Sequence, residues 1–379
     1  MTIKKQKKKL KIIKFVIFIS DVGYGHMVRQ RCIIKEIEKQ FKNFEILIIN
    51  HSNLEIIEET FKEKYKYFKK FNNIKLFKKK SGYFDINKTN KDFKKWKIRK
   101  NNIFHLKKLV KGYDIIISDF VPEAFNLAEE LKLKSYAVCH YTWSWFFNEI
   151  RFSNKKDLKK LTYIENKADK IFLPPFTPEK VIKNLPPKKI RKINFITEKK
   201  YQNFKKKNKK PIVLIMDNGT KTLNNKISKT LKFIRKNQQF IFYIGIASLS
   251  KKDKELVINS ENIIPITGLK SIYSQIIKAD YVIARGGFNT ISECLIYRKP
   301  AMFAPEKNNP EIKENLKIIM KKNLGGLIKL SDWGKNFNNR IIHFLKHEKK
   351  TIEKNLNKFN YLSNGAHQIV QTIKKDINL

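Results

Sequence analysis

Four short stretches of the sequence combine glycine with residues able to move a proton or hold a ligand. In SDVGYGH, residues 20–26, Gly23 and Gly25 permit a tight bend and a close backbone approach to a ligand. Val28, Ile33, Ile34 and Ile37 follow at helical spacing, so this turn opens a helix whose first N–H groups favour an anion. His26, in the first turn, could be a general base toward an acceptor hydroxyl or could merely cap or pack against the helix; spacing leaves both roles open. In ARGGFNTISE, residues 284–293, Gly286 and Gly287 admit a diphosphate, Asn289 and Thr290 supply donors at a helix start, and Arg285 brings a permanent charge. Glu293 comes one helical turn after Thr290 and could accept both hydroxyls of a ribose if it faces the same mouth; otherwise it is a surface carboxylate. Two further turns have weaker signatures: Asn218, Gly219 and Thr220 could hold phosphate, and Thr267, Gly268 and Leu269 could line a base. Either is equally an ordinary βα turn. Asp119, at the end of an apolar run, is a second candidate base, or else the cap of a helix beginning near Pro122.

These loops need a scaffold, and the apolar pattern supplies one. Short apolar runs alternate with stretches of helical period, the signature of a doubly wound parallel sheet covered by helices. Strands are expected at 15–19, 44–49, 74–77, 115–118, 135–138 and 170–173, then at 212–216, 240–244, 263–266, 281–284 and 301–304. The two series are separated by a Pro- and Lys-rich passage. The expected organisation is a Rossmann-like domain over 1–190, a linker over 191–210, a second doubly wound domain over 211–348, and a helix over 349–379 packing across the junction. In such sheets ligands bind outside the carboxyl ends of strands, where all these turns fall.

The chain has 379 residues, enough for two cores. It carries 82 Lys and Arg against 34 Asp and Glu, a formal charge of +48. That excess would ordinarily point to nucleic acid or an anionic membrane, but the lysines are scattered over nearly every helix and loop, so no specific nucleic-acid partner is expected. A weak, salt-sensitive attraction to anionic membrane is a by-product. Cys32, Cys139 and Cys294 form no CxxC pair, which argues against a disulfide framework or zinc site and fits a cytoplasmic protein, at most at the inner membrane face. The opening MTIKKQKKKLKIIKFVIFIS imitates a signal peptide but reads as the first buried strand. No apolar run approaches the roughly 20 residues of a membrane span. The aromatic run Tyr141, Trp143, Trp145, Phe146 and Phe147 reads as core in preference to a sugar or lipid ledge. The basic, amphipathic stretch 94–111 could lie on an anionic membrane or be a solvated surface helix.

Taken together, Gly286, Gly287, Thr290 and Glu293, followed by Lys299 and Pro300, resemble the GGxxTxxE and KP motifs of GT-B glycosyltransferases, in particular those sharing the C-terminal domain of lipid-linked peptidoglycan N-acetylglucosaminyltransferases (family 28). That resemblance implies two facing Rossmann-like domains, a nucleoside diphosphate sugar (UDP-sugar foremost) held by the second domain, a ribose on Glu293, and a first glycine loop facing the sugar. A wider likeness is to the glycosyltransferase-like domain that precedes the kinase in plant arabinokinases. Its GxGFGHxxR run resembles Gly23 to Arg29, its DxVPxA run resembles Asp119, Val121, Pro122 and Ala124, and its NFxW run is similar to the stretch containing His140 and Trp143. The likeness extends to Glu311. No kinase-like extension follows, so sugar kinase activity is not expected. Many transferases of this fold carry EQxxN, where this chain has Glu311, Ile312 and Asn315; the donor-contacting Gln is absent, which leaves the donor sugar open.

The expectation is therefore metal-independent transfer of a sugar to an acceptor hydroxyl on a glycan, lipid or small molecule, with His26 or Asp119 as base and no cofactor. Helix N-termini and Arg285 would neutralise the leaving group. The alternatives are a sugar-nucleotide hydrolase or epimerase, a non-catalytic nucleotide-sugar binder, and, distantly, a basic nucleic-acid-binding protein.

Overall fold

The computed structural model describes residues 11–50, 58–59, 61, 64–71, 73–79, 84–96, 101–119, 121–198, 210–217, 222–246, 249–267 and 275–378. The turns at Asn218, Gly219 and Thr220 and at Gly268 and Leu269 lie outside the described residues.

The first half builds β1 (Ile13–Ile19), α1 (Tyr24–Gln40), β2 (Phe44–Ile49), β3 (Lys66–Phe68), α2 (Ile86–Trp96) and α3 (Asn101–Val110). It continues through β4 (Ile115–Asp119), α4 (Glu123–Leu131), β5 (Lys134–Val138), α5 (Trp143–Glu149), α6 (Lys155–Glu165), β6 (Lys170–Leu173), α7 (Glu179–Lys183) and β7 (Ile190–Lys192). Among the described residues the strands form one parallel sheet in the order β3-β2-β1-β4-β5-β6-β7. The order reverses direction beside β1 and β4, so a crevice opens at their carboxyl ends, the place where such sheets bind ligands. β1 reads as an apolar run because both its faces are covered: Phe15, Val16, Ile17, Phe18 and Ile19 are all fully buried.

The second half builds β8 (Ile212–Met216), α8 (Asn224–Lys236), β9 (Ile241–Gly245), α9 (Lys251–Ile258), β10 (Ile263–Ile266), β11 (Tyr281–Arg285), α10 (Phe288–Ile296), β12 (Ala301–Ala304), α11 (Pro310–Lys321) and β13 (Gly326–Leu327). Its sheet, again parallel, runs β10-β9-β8-β11-β12-β13 among the described residues. The switch point here falls between β8 and β11, so the loop after β11 faces the loop after β1.

The expected strand at 74–77 does not join the sheet. Ile74 is buried, but the ladder position beside β2 is taken by β3, a three-residue edge strand whose Lys66 breaks any apolar run. Instead 74–78 runs extended over the cleft, pinned by a bridge from Lys78 to Phe84 and by a bond from the Phe77 amide to Thr89 Oγ1 (3.0 Å). The sequence also expects one C-terminal helix over 349–379, where the chain makes two, α13 (Lys349–Lys358) and α14 (Gly365–Asp376), preceded by α12 (Phe337–His343) and a π-helical turn. Ile352 and Leu356 of α13 belong to the second core, whereas Ala366, Ile369, Val370 and Ile373 of α14 complete the first. At the surface of that junction Gln371 Nε2 donates to Gln40 Oε1 (2.7 Å) and His367 Nδ1 meets Glu36 Oε1 (2.8 Å), fixing α14 along α1.

The aromatic run is core: Tyr141, Trp143, Trp145, Phe146 and Phe147 are all buried, and Phe147 stacks on Phe93 of α2 at 4.0 Å. The stretch 94–111 spans the end of α2 and α3, and its apolar Leu106 and Val110 pack inward against β1 and α4. Leu109 of α3 is exposed. Among the described residues no helix is long and apolar enough to cross a membrane.

Candidate functional site

A cavity of about 350 Å³ lies in the cleft between the sheets. From the first domain it is bounded by the β1–α1 turn, the 75–78 segment and His140; from the second, by Arg285, the start of α10, Asn309 and Glu311.

The first wall is organised by a buried charge. Gly23 caps α1 with φ at +77°, a conformation other residues resist, and this turns the helix so that His26 and Arg29 fall on one face, one turn apart. Both meet Asp119 from the end of β4. His26 Nδ1 is 2.9 Å from Asp119 Oδ1, Arg29 Nε donates to Oδ2 at 2.9 Å with Nη2 2.5 Å from Oδ1, and Gln30 Nε2 donates to Oδ2 at 3.1 Å. Asp119 is fully buried. Burial works against its ionisation, yet the Arg29 guanidinium and His26 hold its carboxyl well below the usual carboxylate range. Arg29 Nη2 also lies 3.0 Å from His26 Nδ1, but an ionised carboxylate only accepts, so the closer Asp119 contact calls for a proton on Nδ1 and leaves the lone pair on Nε2. Two expectations are corrected here. Asp119 is too buried and too firmly ionised to take a proton from an acceptor. Nor does it cap α4, whose preceding turn is held by Ser118 Oγ, bonded to Val121 N at 3.2 Å. Its place is behind His26.

The second wall starts at Arg285, the last residue of β11. Arg285 Nη1 donates to Glu306 Oε2 at 2.8 Å, and Glu306 follows β12. α10 then begins at Phe288 with Gly287 as its cap, and Asn289 and Thr290 line the cavity. Asn289 Nδ2 crosses the cleft to donate to the Gly25 carbonyl. A Cβ on Gly25 would sit 2.6 Å from that nitrogen, so Gly25 is small for the sake of the opposite domain. Gly286 also has a packing reason, since a Cβ there would meet Leu316 of α11 at 2.8 Å. Asn315 Nδ2 donates to the Gly286 carbonyl at 3.1 Å and locks the turn from behind.

Glu311, in the first turn of α11, points its carboxylate to the start of α10, 3.4 Å from the Phe288 amide and 3.3 Å from His140 Nε2. His140 stacks on Phe288 at 4.2 Å. Burial pushes His140 below the ordinary imidazole range while Glu311 pulls it back. Glu311 itself, despite burial, is held down to about 2 by His140 and then Arg285. Glu293 is buried on α10, outside the lining of this cavity, with its charge felt by Cys32 of α1. The structure thus brings together His26, Asp119, Gly23, Gly25, Arg285, Gly287, Asn289, Thr290 and Glu311, and leaves Gly286 and Glu293 behind the wall.

Arg29 and His140 fall in runs that the resemblance marks, but become site residues only through their partners. Two further participants belong to no motif: Lys78 is one of many lysines, and Glu306 is the acidic residue of the loop 305–309 after β12. The one available hint was that Glu306 stands just past the carboxyl end of a strand. Among the described residues, no three His, Cys, Asp or Glu side chains converge as metal ligands.

Two parallel-sheet Rossmann-like domains that close a polar cleft between their switch points define a GT-B protein. Residues 218–373 match the family model of the glycosyltransferase family 28 C-terminal domain. A similar curated protein is the UDP-N-acetylglucosamine–N-acetylmuramyl-(pentapeptide) pyrophosphoryl-undecaprenol N-acetylglucosamine transferase of Thermosipho melanesiensis, 28% identical over 186 residues, 48% of this chain and 50% of the relative. The chain thus spans about half the length of that relative. Among solved structures, the kitacinnamycin glycosyltransferase superposes with a TM-score of 0.64 at 11% identity, covering 96% of this chain and 99% of the other. A Listeria monocytogenes protein described as a putative UDP-N-acetylglucosamine 2-epimerase superposes with a TM-score of 0.63 at 11% identity, covering 97% of both chains. At such identities the superpositions establish the fold, which transferase and epimerase share.

Proposed function

We propose that the chain is a glycosyltransferase that moves a sugar from a nucleoside diphosphate sugar, a UDP-sugar foremost, to an acceptor hydroxyl. The observation that carries this reading is the pairing across one cleft of a histidine backed by a buried, ionised carboxylate with an Arg–Gly–Gly turn opening a helix. The first is the arrangement of a general base and the second that of an anion holder. The match to family 28 over the second domain supports the donor half of the reading, and the Thermosipho relative is by its name a user of UDP-N-acetylglucosamine.

In this mechanism His26 Nε2 takes the acceptor proton as the acceptor oxygen bonds to the anomeric carbon and the bond from that carbon to the diphosphate breaks. Asp119 fixes the tautomer and offsets the imidazolium that forms. Negative charge on the departing diphosphate meets the N–H groups of α10, Asn289, Thr290 and Arg285. Residues 218–220 and 268–269, which follow β8 and β10 in the chain, are the proposed remainder of the donor site. The acceptor is a glycan, lipid-linked or small-molecule hydroxyl.

The test is a thermal-shift panel of uridine, guanosine, thymidine and cytidine diphosphates and their sugars, followed by nucleoside diphosphate release from the sugar that binds. One nucleotide should stabilise the protein at moderate salt. His26→Ala should keep that shift and lose turnover by about 10²- to 10⁴-fold. Shifts that are uniform across the panel and erased by salt would leave charge as the explanation and sink the transferase reading.

A further inference from the structure

Beside the catalytic histidine the cleft holds a second charged cluster, of which the mechanism above uses only Arg285. Lys78, from the extended 74–78 segment of the first domain, reaches across to Glu306 of the second and also donates to Thr222 Oγ1 at 2.8 Å. Glu306 has no exposed side-chain surface and is held from the other side by Arg285 at 2.8 Å and by Asn309 Nδ2 at 3.2 Å. Two cations, one from each domain, therefore converge on one buried carboxylate at the rim of the cavity that both line. Glu306 is the carboxylate that both cations bond, while Glu311 and Asp217 add negative charge around Arg285 and Asp217 around Lys78. Lys226, whose amine donates to the Thr222 carbonyl at 2.9 Å, adds a third positive charge nearby, countered by Asp217 and Glu306.

We propose that Lys78 is the first domain's ligand to the donor diphosphate, and that Glu306 occupies the place of a phosphate until the donor arrives. The inference rests on the transferase reading and extends it. Entry of the diphosphate hands Lys78 and Arg285 from one carboxylate to phosphate oxygens, which carry more charge and more acceptors. Because Lys78 belongs to one domain and Arg285 to the other, this exchange ties donor binding to closure of the cleft. The local backbone suits that role, since the bridge to Phe84 and the bond to Thr89 hold Lys78 at the rim in a chain whose other lysines are mostly on the surface. Burial and Arg285 lower the Lys78 pKa and Glu306 raises it again, as expected for an amine kept charged by its partner.

The experiment is calorimetric titration of the intact chain with the di- and monophosphates of uridine, guanosine and thymidine. Wild type should prefer the diphosphate of one base over its monophosphate. In Lys78→Ala the diphosphate should weaken by about 10-fold or more while the monophosphate changes by less than about 3-fold, as expected for the loss of a charged hydrogen bond to the second phosphate. Lys78→Arg should restore most of the preference and guards against a folding defect. Glu306→Gln, which removes the competing charge, should tighten the diphosphate. An unchanged preference in Lys78→Ala, or equal weakening of both nucleotides, overturns the assignment of Lys78. Weakening in Glu306→Gln overturns the placeholder role. A wild type that binds none of the nucleotides removes the transferase reading itself, which distinguishes that failure from failure of this inference.

Discussion

The buried His26–Asp119–Arg29 cluster makes a prediction that separates folding from catalysis. Asp119→Asn keeps the shape but removes the charge that answers Arg29, whose guanidinium is also buried. Breaking one half of a buried pair costs about 3–5 kcal/mol, because the remaining charge stays out of water without compensation. For a domain of this size each kcal/mol is about 2–4 °C, so the melting temperature should fall by roughly 6–20 °C. Replacing both partners together, Arg29→Met with Asp119→Leu, removes the orphan charge, and stability should return to within about 1–3 kcal/mol of wild type, the remainder being the cost of the buried Gln30 amide left without its acceptor. Turnover should not return. In both variants His26 has lost the carboxylate that fixes its tautomer, so nucleoside diphosphate release should stay about 10²- to 10⁴-fold down, the usual worth of a positioned base. The assays are denaturant melts and diphosphate release from the donor sugar, the latter counting turnover whatever the acceptor. A double variant with wild-type turnover would show that His26 needs no carboxylate behind it. An Asp119→Asn variant with a wild-type melt would show that the pair is not closed as described.

Glu165, buried and accepting from the Trp143 amide at 2.6 Å, is pushed up to about 7 by desolvation, which its bonds to Ser144 and Trp143 only partly oppose. The folded state then holds this proton more tightly than the unfolded chain, so its contribution is most favourable below about pH 4.5 and is lost as pH rises toward about 7. Glu165→Gln should gain on wild type by about 3 kcal/mol between those limits, read from denaturant midpoints at pH 5 and 8; parallel pH profiles would refute it. Gly25→Ala should displace Asn289 and weaken donor binding, yet cost under about 0.5 kcal/mol more in an Asn289→Ala background, a coupling that a double-mutant cycle on nucleotide affinity measures. Ile369→Ala in α14 should destabilise the first domain by about 2–5 kcal/mol in chemical denaturation, whereas Ile258→Ala, at 63% exposure, should change stability by no more than about 0.5 kcal/mol.

What the sequence by itself determined is the part recorded by local pattern. β1, β2, β4, β5, β6, β8, β11 and β12 are buried on both faces or nearly so, and burial of a short strand writes itself as an apolar run; β9 and β10 are only half-buried but still apolar in sequence. The turns at Gly23 and Gly287 were legible for the same reason: a glycine between a strand and an amphipathic helix marks the mouth of a parallel sheet. Where the pattern is weak, the reading failed. β3 is an edge strand with an exposed lysine, β13 has two residues, and the apolar 74–77 segment is buried without joining a ladder.

Only the tertiary structure decided what the polar residues do, because their partners are far apart in the chain. Asp119 is 93 positions from His26 and Lys78 is 228 from Glu306, so neither pairing leaves a trace in local spacing. Composition hides the rest. In a chain with 82 Lys and Arg, one lysine carries no contrast until a buried carboxylate from the other domain stands opposite it. The same holds for Glu293 and Glu306: the residue at the expected spacing turned toward α1, and the one without a motif faces the cleft, because helix rotation and strand order, not sequence distance, set which carboxylate meets a charge.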